Sequence, residues 1–427
     1  MRFPVIASRR NEFRMPSTPS KKPLGYAWAV VALLFPVALL NYLDRQMLAT
    51  MKSSMVADIP SIANQADWGL VLGSFKWSYA LLSPFGGYLA DRVGRRPVIT
   101  GSLFVWSAVT WWTGHVSTFH ELLAARTLMG LSEAFYYPAA LALVADWHPN
   151  STRSRAMGVH QTGIYLGQIL GGFAGYAADS AALGWRWVFS LCGLIGIGYA
   201  LPLFALLRPS NRPVPNSPEP LPPATRGAFR GLLTNRNFLL LILYFTLPAI
   251  AGWIVRDWMP AILRDKFGLG QGRSGVSAVL FVQISAILGV LVGGTLADRW
   301  SRTSARGRIF TSALGTLLFL PALLSVGLSG TLPVALTGLV LFGFGWGCFD
   351  CNNMPILCQI TRPEWRATGY GLLNLVSLSC GGLGDWGFGI LRDHRVPLPL
   401  IFGVFASIAL ASVLIVLQIK PRASADA

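Results

Sequence analysis

The sequence predicts an all-α membrane protein whose twelve transmembrane helices form two pseudo-symmetric six-helix bundles. Three observations carry that prediction: recurrent apolar stretches long enough to cross a bilayer, a one-sided distribution of Lys and Arg between them, and a motif that appears once in each half. Of the 427 residues, 53% are hydrophobic and only 12% are charged, too apolar a balance for an ordinary soluble protein. A spanning helix needs about 20 mostly apolar residues. Such stretches fall at 26–50, 68–90, 97–116, 119–143, 157–181 and 187–207, then at 237–262, 274–297, 308–328, 332–357, 368–391 and 397–418.

The segments between them follow in order. Residues 1–25 form a polar, basic tail in which Ser8-Arg9-Arg10 and Phe13 weakly match a twin-arginine export signal. No short apolar core with a small-residue cleavage site follows, so the first stretch is expected to stay as a membrane anchor. The first bundle covers 26–207. Residues 208–236 contain seven prolines and read as an exposed linker without a packed core. The second bundle covers 237–418, and 419–427 is a short tail.

Lys and Arg of short loops are retained on the cytoplasmic side. With the N-terminus inside, the inner segments carry 24 of the 35 basic residues and the outer loops 7; the other four, Arg45, Lys76, Arg126 and Arg256, lie within apolar spans. Both termini are therefore expected in the cytoplasm, with the protein in the inner (plasma) membrane. The net charge of +17 is a topology signal and not a nucleic-acid footprint, because the basic residues sit in short turns and not on one solvated face.

The halves repeat one another. Gly86-Gly87-Tyr88-Leu89-Ala90-Asp91-Arg92 reappears as Gly293-Gly294-Thr295-Leu296-Ala297-Asp298-Arg299, and Arg155-Ala156-Met157-Gly158 as Arg366-Ala367-Thr368-Gly369. Parallel repeats place a solute site near the midplane, with the halves rocking around it.

Chemistry inside the spans is concentrated in a few ionisable groups, which default to functional hypotheses because burying them is costly. The first span holds Tyr42, Asp44 and Arg45, and the fourth holds Arg126 and Glu133 on one helical face. An arginine stays charged and grips a carboxylate through parallel hydrogen bonds, while a buried acid suits proton transfer. The alternative is that these charges only neutralise one another to hold the first half together. Lys76 either adds positive charge to an anion pathway or snorkels to the interface. Arg256 and Asp257 read as rim charges. Asp350, Asn352, Asn353, Asn374 and Asp385 offer a second polar wall, or else contacts between helices. Tyr136, Tyr137, Tyr165, Gln161 and Gln168 are candidate hydrogen-bonding groups for solute hydroxyls.

Other chemistries find little support. Cys348 and Cys351 have CxxC spacing, but no second thiol pair or nearby His accompanies them, so packing is the simpler reading and no metal is expected. The histidines form no ligand constellation. No phosphate-binding Gly-Lys-Ser/Thr loop occurs, so ATP hydrolysis is not the expected energy source, and neither enzymatic activity nor a cofactor is expected.

GYLADRVGRR (87–96) and its weaker copy GTLADRWSR (294–302) resemble the loop signature of the major facilitator superfamily. The resemblance implies gating roles for Asp91, Arg92 and Arg95, with Asp298 and Arg299 as the second copy. NYLDRQ (41–46) and ARTLMGLSEAFYYP (125–138) resemble the anion:cation symporter branch, carriers of hexuronates, galactonate and other organic anions. That resemblance implies substrate binding at Arg45, proton coupling at Asp44 and Glu133, and Arg126 as the partner of Glu133. To the substrate wall we add Tyr42, Lys76, Tyr137, Gln161, Asn353 and Asn374. In the fifth span Gln168 stands where proton-driven drug exporters of the superfamily place a proline, which favours uptake over extrusion. The expected activity is proton-coupled symport of a small anionic solute such as a sugar acid by a monomer in the lipid bilayer, with sodium an alternative to protons. Spinster-like carriage of a lysophospholipid, organophosphate exchange and a transport-dead receptor are the rival readings.

Overall fold

The computed structural model describes residues 24–208 and 223–421. The tail with its Arg-Arg pair and most of the proline-rich linker lie outside the described residues.

Among the described residues, helices cover all twelve of the predicted spans. The first half contains α1 (Leu24–Thr50), a short α2 (Lys52–Asp58), α3 (Gln65–Val93), α4 (Arg95–Thr113), α5 (Phe119–Glu133), α6 (Tyr136–Trp147), α7 (Asn150–Ala178) and α8 (Gly184–Leu206). After α9 (Pro223–Leu233) the second half contains α10 (Arg236–Phe267), α11 (Gln271–Ser301), α12 (Gly307–Leu317), α13 (Phe319–Leu328), α14 (Leu332–Ile360), α15 (Arg366–Asp393) and α16 (Leu398–Val416). The fourth and ninth spans, expected as continuous helices, are each broken, into α5 and α6 and into α12 and α13. A proline stands just past each break, and its ring displaces the carbonyl four residues earlier. Pro138 disturbs Ala134 at the first break, and Pro321 disturbs Leu317 at the second. The linker is also not wholly unstructured. Its last third forms α9, where Ala228 and Leu232 are buried and Gly231 abuts the Trp365 ring.

Eight of the spans are long and apolar enough to cross a membrane by length and composition. The other four, α3, α4, α7 and α15, are more polar, and α3, α7 and α15 pack against the opposite half. Leu194, Leu201, Leu291, Leu400 and Leu414 point outward and supply the apolar coat a bilayer requires.

The two ends of the bundle are packed differently. At the end that carries α2, one apolar cluster runs through both halves and includes Met47, Trp68, Trp258 and Phe388. At the opposite end, called here the linker end, each half keeps its own core, around Trp106 and Tyr136 in the first and around Phe238 and Phe349 in the second. The halves therefore meet at the α2 end and leave space between them toward the linker end.

Close approach at the α2 end needs glycine. A Cβ on Gly69 would lie 2.4 Å from the Asp385 carbonyl oxygen, and one on Gly389 would lie 2.3 Å from that of Gln65. Carboxylates then tie the halves together. Asp393 at the end of α15 accepts from the backbone N–H groups of Gln65 and Ala66, both at 2.8 Å, at the start of α3. Asp179, just past α7, accepts from Gln271 Nε2 at 2.9 Å and Gly272 N at 3.1 Å at the start of α11. These contacts are counterparts in the two repeats, each placing an anion where a helix N-terminus favours one.

Candidate functional site

Between the halves lies a cavity of about 740 Å³. Its first-half wall is polar, with Tyr42, Arg45, Tyr79, Tyr137, Gln161, Tyr165 and Gln168. Phe245, Trp253, Phe342, Trp346 and Phe349 make the second-half wall largely aromatic, with Arg256, Asp350, Tyr370 and Asn374 as its polar members. Among the lining residues only Arg45, Arg256 and Asp350 carry charge.

Arg45 projects from α1 and is the point where cavity and buried charge meet. Its Nη2 and Nε lie 2.7 Å and 2.8 Å from Glu133 Oε2. Its guanidinium sits over the rings of Tyr42, Phe75 and Tyr79, 4.7 Å, 4.7 Å and 4.9 Å from their centroids. Stacking and ion pairing fix a planar cation that a flexible ammonium would not hold in one place. The Arg45 side chain keeps 15% exposure, whereas Glu133, the last residue of α5, has none. Glu133 Oε1 has no hydrogen-bond partner within normal geometry. The acid therefore stands behind the arginine, outside the cavity lining.

The sequence-derived residues separate into three groups. Tyr42, Arg45, Tyr137, Gln161 and Asn374 line the cavity together, with Glu133 directly behind. Asp44 and Arg126 are buried in the first half outside the lining: Asp44 Oδ2 accepts from Thr110 Oγ1 at 2.8 Å, and Arg126 lies 4.6 Å from the centroid of the Phe75 ring with Nη1 2.9 Å from Met129 Sδ. Lys76 and Asn353 are not in the cavity. Asn353 is packed inside the second half with neither side-chain polar atom hydrogen-bonded, and Lys76 is sealed at the α2 end in ion pairs with Asp257 and Asp385.

Two further expectations need correction. Arg256 is not a rim charge but part of the cavity wall, and its neighbour Asp257 is buried under it. Asp385 fits the second of its two readings, a contact between helices, through its ion pair with Lys76. The one-residue alternation of Arg256 and Asp257 on a helix sends them to different faces, which a reading of both as one exposed pair overlooked. Gln168 meets Gln283 of the other half directly, closing the cavity where the two spans cross.

At the linker end Arg95 is tied within its own half to Asp146 and to the Ala142 carbonyl. Arg92 is exposed and donates to the Tyr88 hydroxyl at 3.1 Å. Asp298 pairs with Arg308 at 3.3 Å, and Arg299 is exposed. Of these described side chains none bridges the halves, as fits an end at which the halves stand apart. The Asp91 side chain lies outside what is described. Cys348, free of any disulfide, donates to the Gly289 carbonyl and packs α14 against α11.

Two repeated helical bundles enclosing a midplane cavity with fixed charges form the architecture of a membrane transporter. The model of the Major Facilitator Superfamily matches residues 34–384, and the chain belongs to that family. Protein spinster homolog 1 of Homo sapiens is 28% identical over 397 residues, 87% of this chain and 74% of that one. An MFS-type efflux pump of Mycolicibacterium smegmatis is 28% identical over 372 residues, 86% and 85% of the two chains. The probable galactarate/D-glucarate transporter GudP of Bacillus subtilis is 27% identical over 393 residues, 84% of each. In fold the chain is similar to the crystal structure of a bacterial homologue of the human lysosomal transporter spinster in an inward-facing, unoccupied conformation, with a TM-score of 0.74, 22% identity and coverage of 92% and 95%.

Proposed function

We propose that this chain is a proton-coupled carrier of an organic anion that works by alternating access, with Arg45 as the anion site and Glu133 as the proton site. The Arg45–Glu133 pair carries the reading: a cation at the cavity surface held by a fully buried acid whose second oxygen is unpartnered. While Glu133 is ionised it competes with any solute carboxylate for the guanidinium. A proton on Glu133 frees Arg45 to bind the solute, so proton and anion load together and the site's net charge is unchanged. Closing the halves over a neutralised site avoids burying an unpaired charge, which is strongly unfavourable. Asp44, one residue before Arg45 on α1, is the second candidate proton acceptor.

If the basic loops mark the cytoplasm, the linker end is inside and the structure is inward-facing. The motif reading in the first and fourth spans and the likeness to GudP support a sugar acid as solute. A second substrate reading, an amphiphilic anion such as a lysophospholipid, is favoured by the aromatic wall formed by Phe245, Trp253, Phe342, Trp346 and Phe349 and by the likeness to spinster proteins.

The test is uptake by proteoliposomes under imposed pH or sodium gradients, using D-glucarate, galactarate, a monocarboxylate and a lysophospholipid as probes. Uptake of one acid driven by the pH gradient and abolished by Arg45→Ala is the expected result. Uptake of a sugar acid without competition by lysolipid selects the first solute, and the reverse selects the second. Counterflow against phosphate with no dependence on pH, or binding without any transport, contradicts the proposal.

A further inference from the structure

At the α2 end, three charged side chains meet where α3 of the first half touches α10 and α15 of the second. The Lys76 ammonium pairs with both Asp257 and Asp385 and stands 4.5 Å from the centroid of the Trp253 ring. Lys76 is 3% exposed, Asp257 8% and Asp385 0%. Asp385 Oδ1 accepts no hydrogen bond of normal geometry, with the Trp258 indole beside it. Within the triad two carboxylates and one ammonium leave one negative charge in excess, in a place almost wholly out of water. Like charges this close, out of water, do not both stay ionised.

We propose that Lys76, Asp257 and Asp385 form a proton-binding site that is complete only when the two halves meet, so that closing the α2 end takes up one proton. The first half supplies the cation and the second supplies both acids. With the proton on one carboxyl, the other carboxylate and the ammonium form a neutral pair. When the halves part, each group hydrates separately and the carboxyl returns its proton to the solution on that side. The state that binds more protons gains as pH falls, so this site favours closure on acidification. It is separate from the Arg45–Glu133 pair, and the reading of that pair can fail while this one holds.

Other charged groups surround it. Arg126 on α5 interacts with Asp257, and Arg256 precedes Asp257 on α10. Lys52, on α2 beyond the end of the first span, stands 4.2 Å from the centroid of the Trp258 ring and donates to Gln65 Oε1, with Asp265, Asp393, Arg264 and Arg392 around it. Burial pushes its ammonium down to about 7. A change in Lys52 between its buried and a hydrated state would run opposite to the triad, so it is removed to isolate the effect.

The experiment places spin labels at the exposed positions Ala63 and His394 of the full chain in nanodiscs and reads their separation between pH 5 and pH 9 without sodium. In a Lys52→Gln background the closed-to-open ratio is expected to rise at least about tenfold from pH 9 to pH 5, the response of one coupled proton site. Adding Asp385→Asn, or independently Asp257→Asn, is expected to cut that span by about tenfold and to leave the end closed at high pH, because either amide makes the triad neutral. Retention of the full span by both amide variants overturns the proposal. So does closure that follows sodium concentration at fixed pH.

Discussion

At the scale of single residues, the site turns on how Arg45 is held. Two of its N–H groups converge on one Glu133 oxygen while aromatic rings sandwich the guanidinium plane. Lysine keeps the charge but supplies neither the planar fork nor the stacking, so Arg45→Lys is expected to lower transport by about tenfold or more, the loss of one good charge-assisted contact. Kinetics of the transported probe in proteoliposomes would check this. Arg256 lies on the facing wall and is partly hydrated, where one charge contributes about 1 kcal/mol, so Arg256→Gln should weaken solute affinity about fivefold while leaving the maximal rate intact. Arg45 and Glu133 were legible because an ionisable residue in an apolar run is conspicuous and seven-residue spacing fixes its face. Lys76 and Asp257 were misplaced because their partners, on α3, α10 and α15, are separated by as many as 309 positions in the chain. Nothing local in the sequence announces such a meeting.

At the scale of elements, the α2 end is a pair of helix N-termini capped from the opposite half. Asp393 caps α3 and Asp179 caps α11, an arrangement the repeated architecture makes twice. An anion at a helix N-terminus contributes about 0.3–2 kcal/mol, so Asp179→Asn with Asp393→Asn should shift the balance toward the α2-open state by about threefold or more. Spin-label distances at that end provide the measurement. Gly69→Leu should act in the same direction more strongly, since even a Cβ meets the backbone of Asp385. An α2 end that stays closed in both variants would show that the caps and glycines are incidental. The two broken spans carry Pro138 and Pro321, but Pro36, Pro84, Pro202, Pro248, Pro260 and Pro355 sit inside unbroken helices, so a proline alone does not mark a break in the sequence. Reading spans by hydropathy alone hid them, because proline leaves the apolar window unchanged while removing a backbone hydrogen bond.

For the whole molecule, the twelve spans, the division into two halves and the repeat were all visible in the sequence, since bilayer thickness imposes a length that composition reveals directly. Three of the four more polar spans, α3, α7 and α15, carry Lys76, Gln168 and Asp385 at the contact between halves. What the sequence did not reveal is the asymmetry between ends, one shared core at α2 and two separate cores at the linker end. That depends on which of two packings the halves occupy, and both must be compatible with one sequence in a protein that rocks between them. The proposed coupling belongs to this scale, because Glu133 pairs with Arg45 in the wall of the cavity between the halves. The most direct measurement is accumulation of a transported anion by Glu133→Gln proteoliposomes under an imposed pH gradient, beside exchange of the same anion at equal pH. Exchange that persists while gradient-driven accumulation disappears is the predicted result; accumulation at the level of the unmodified protein would contradict it.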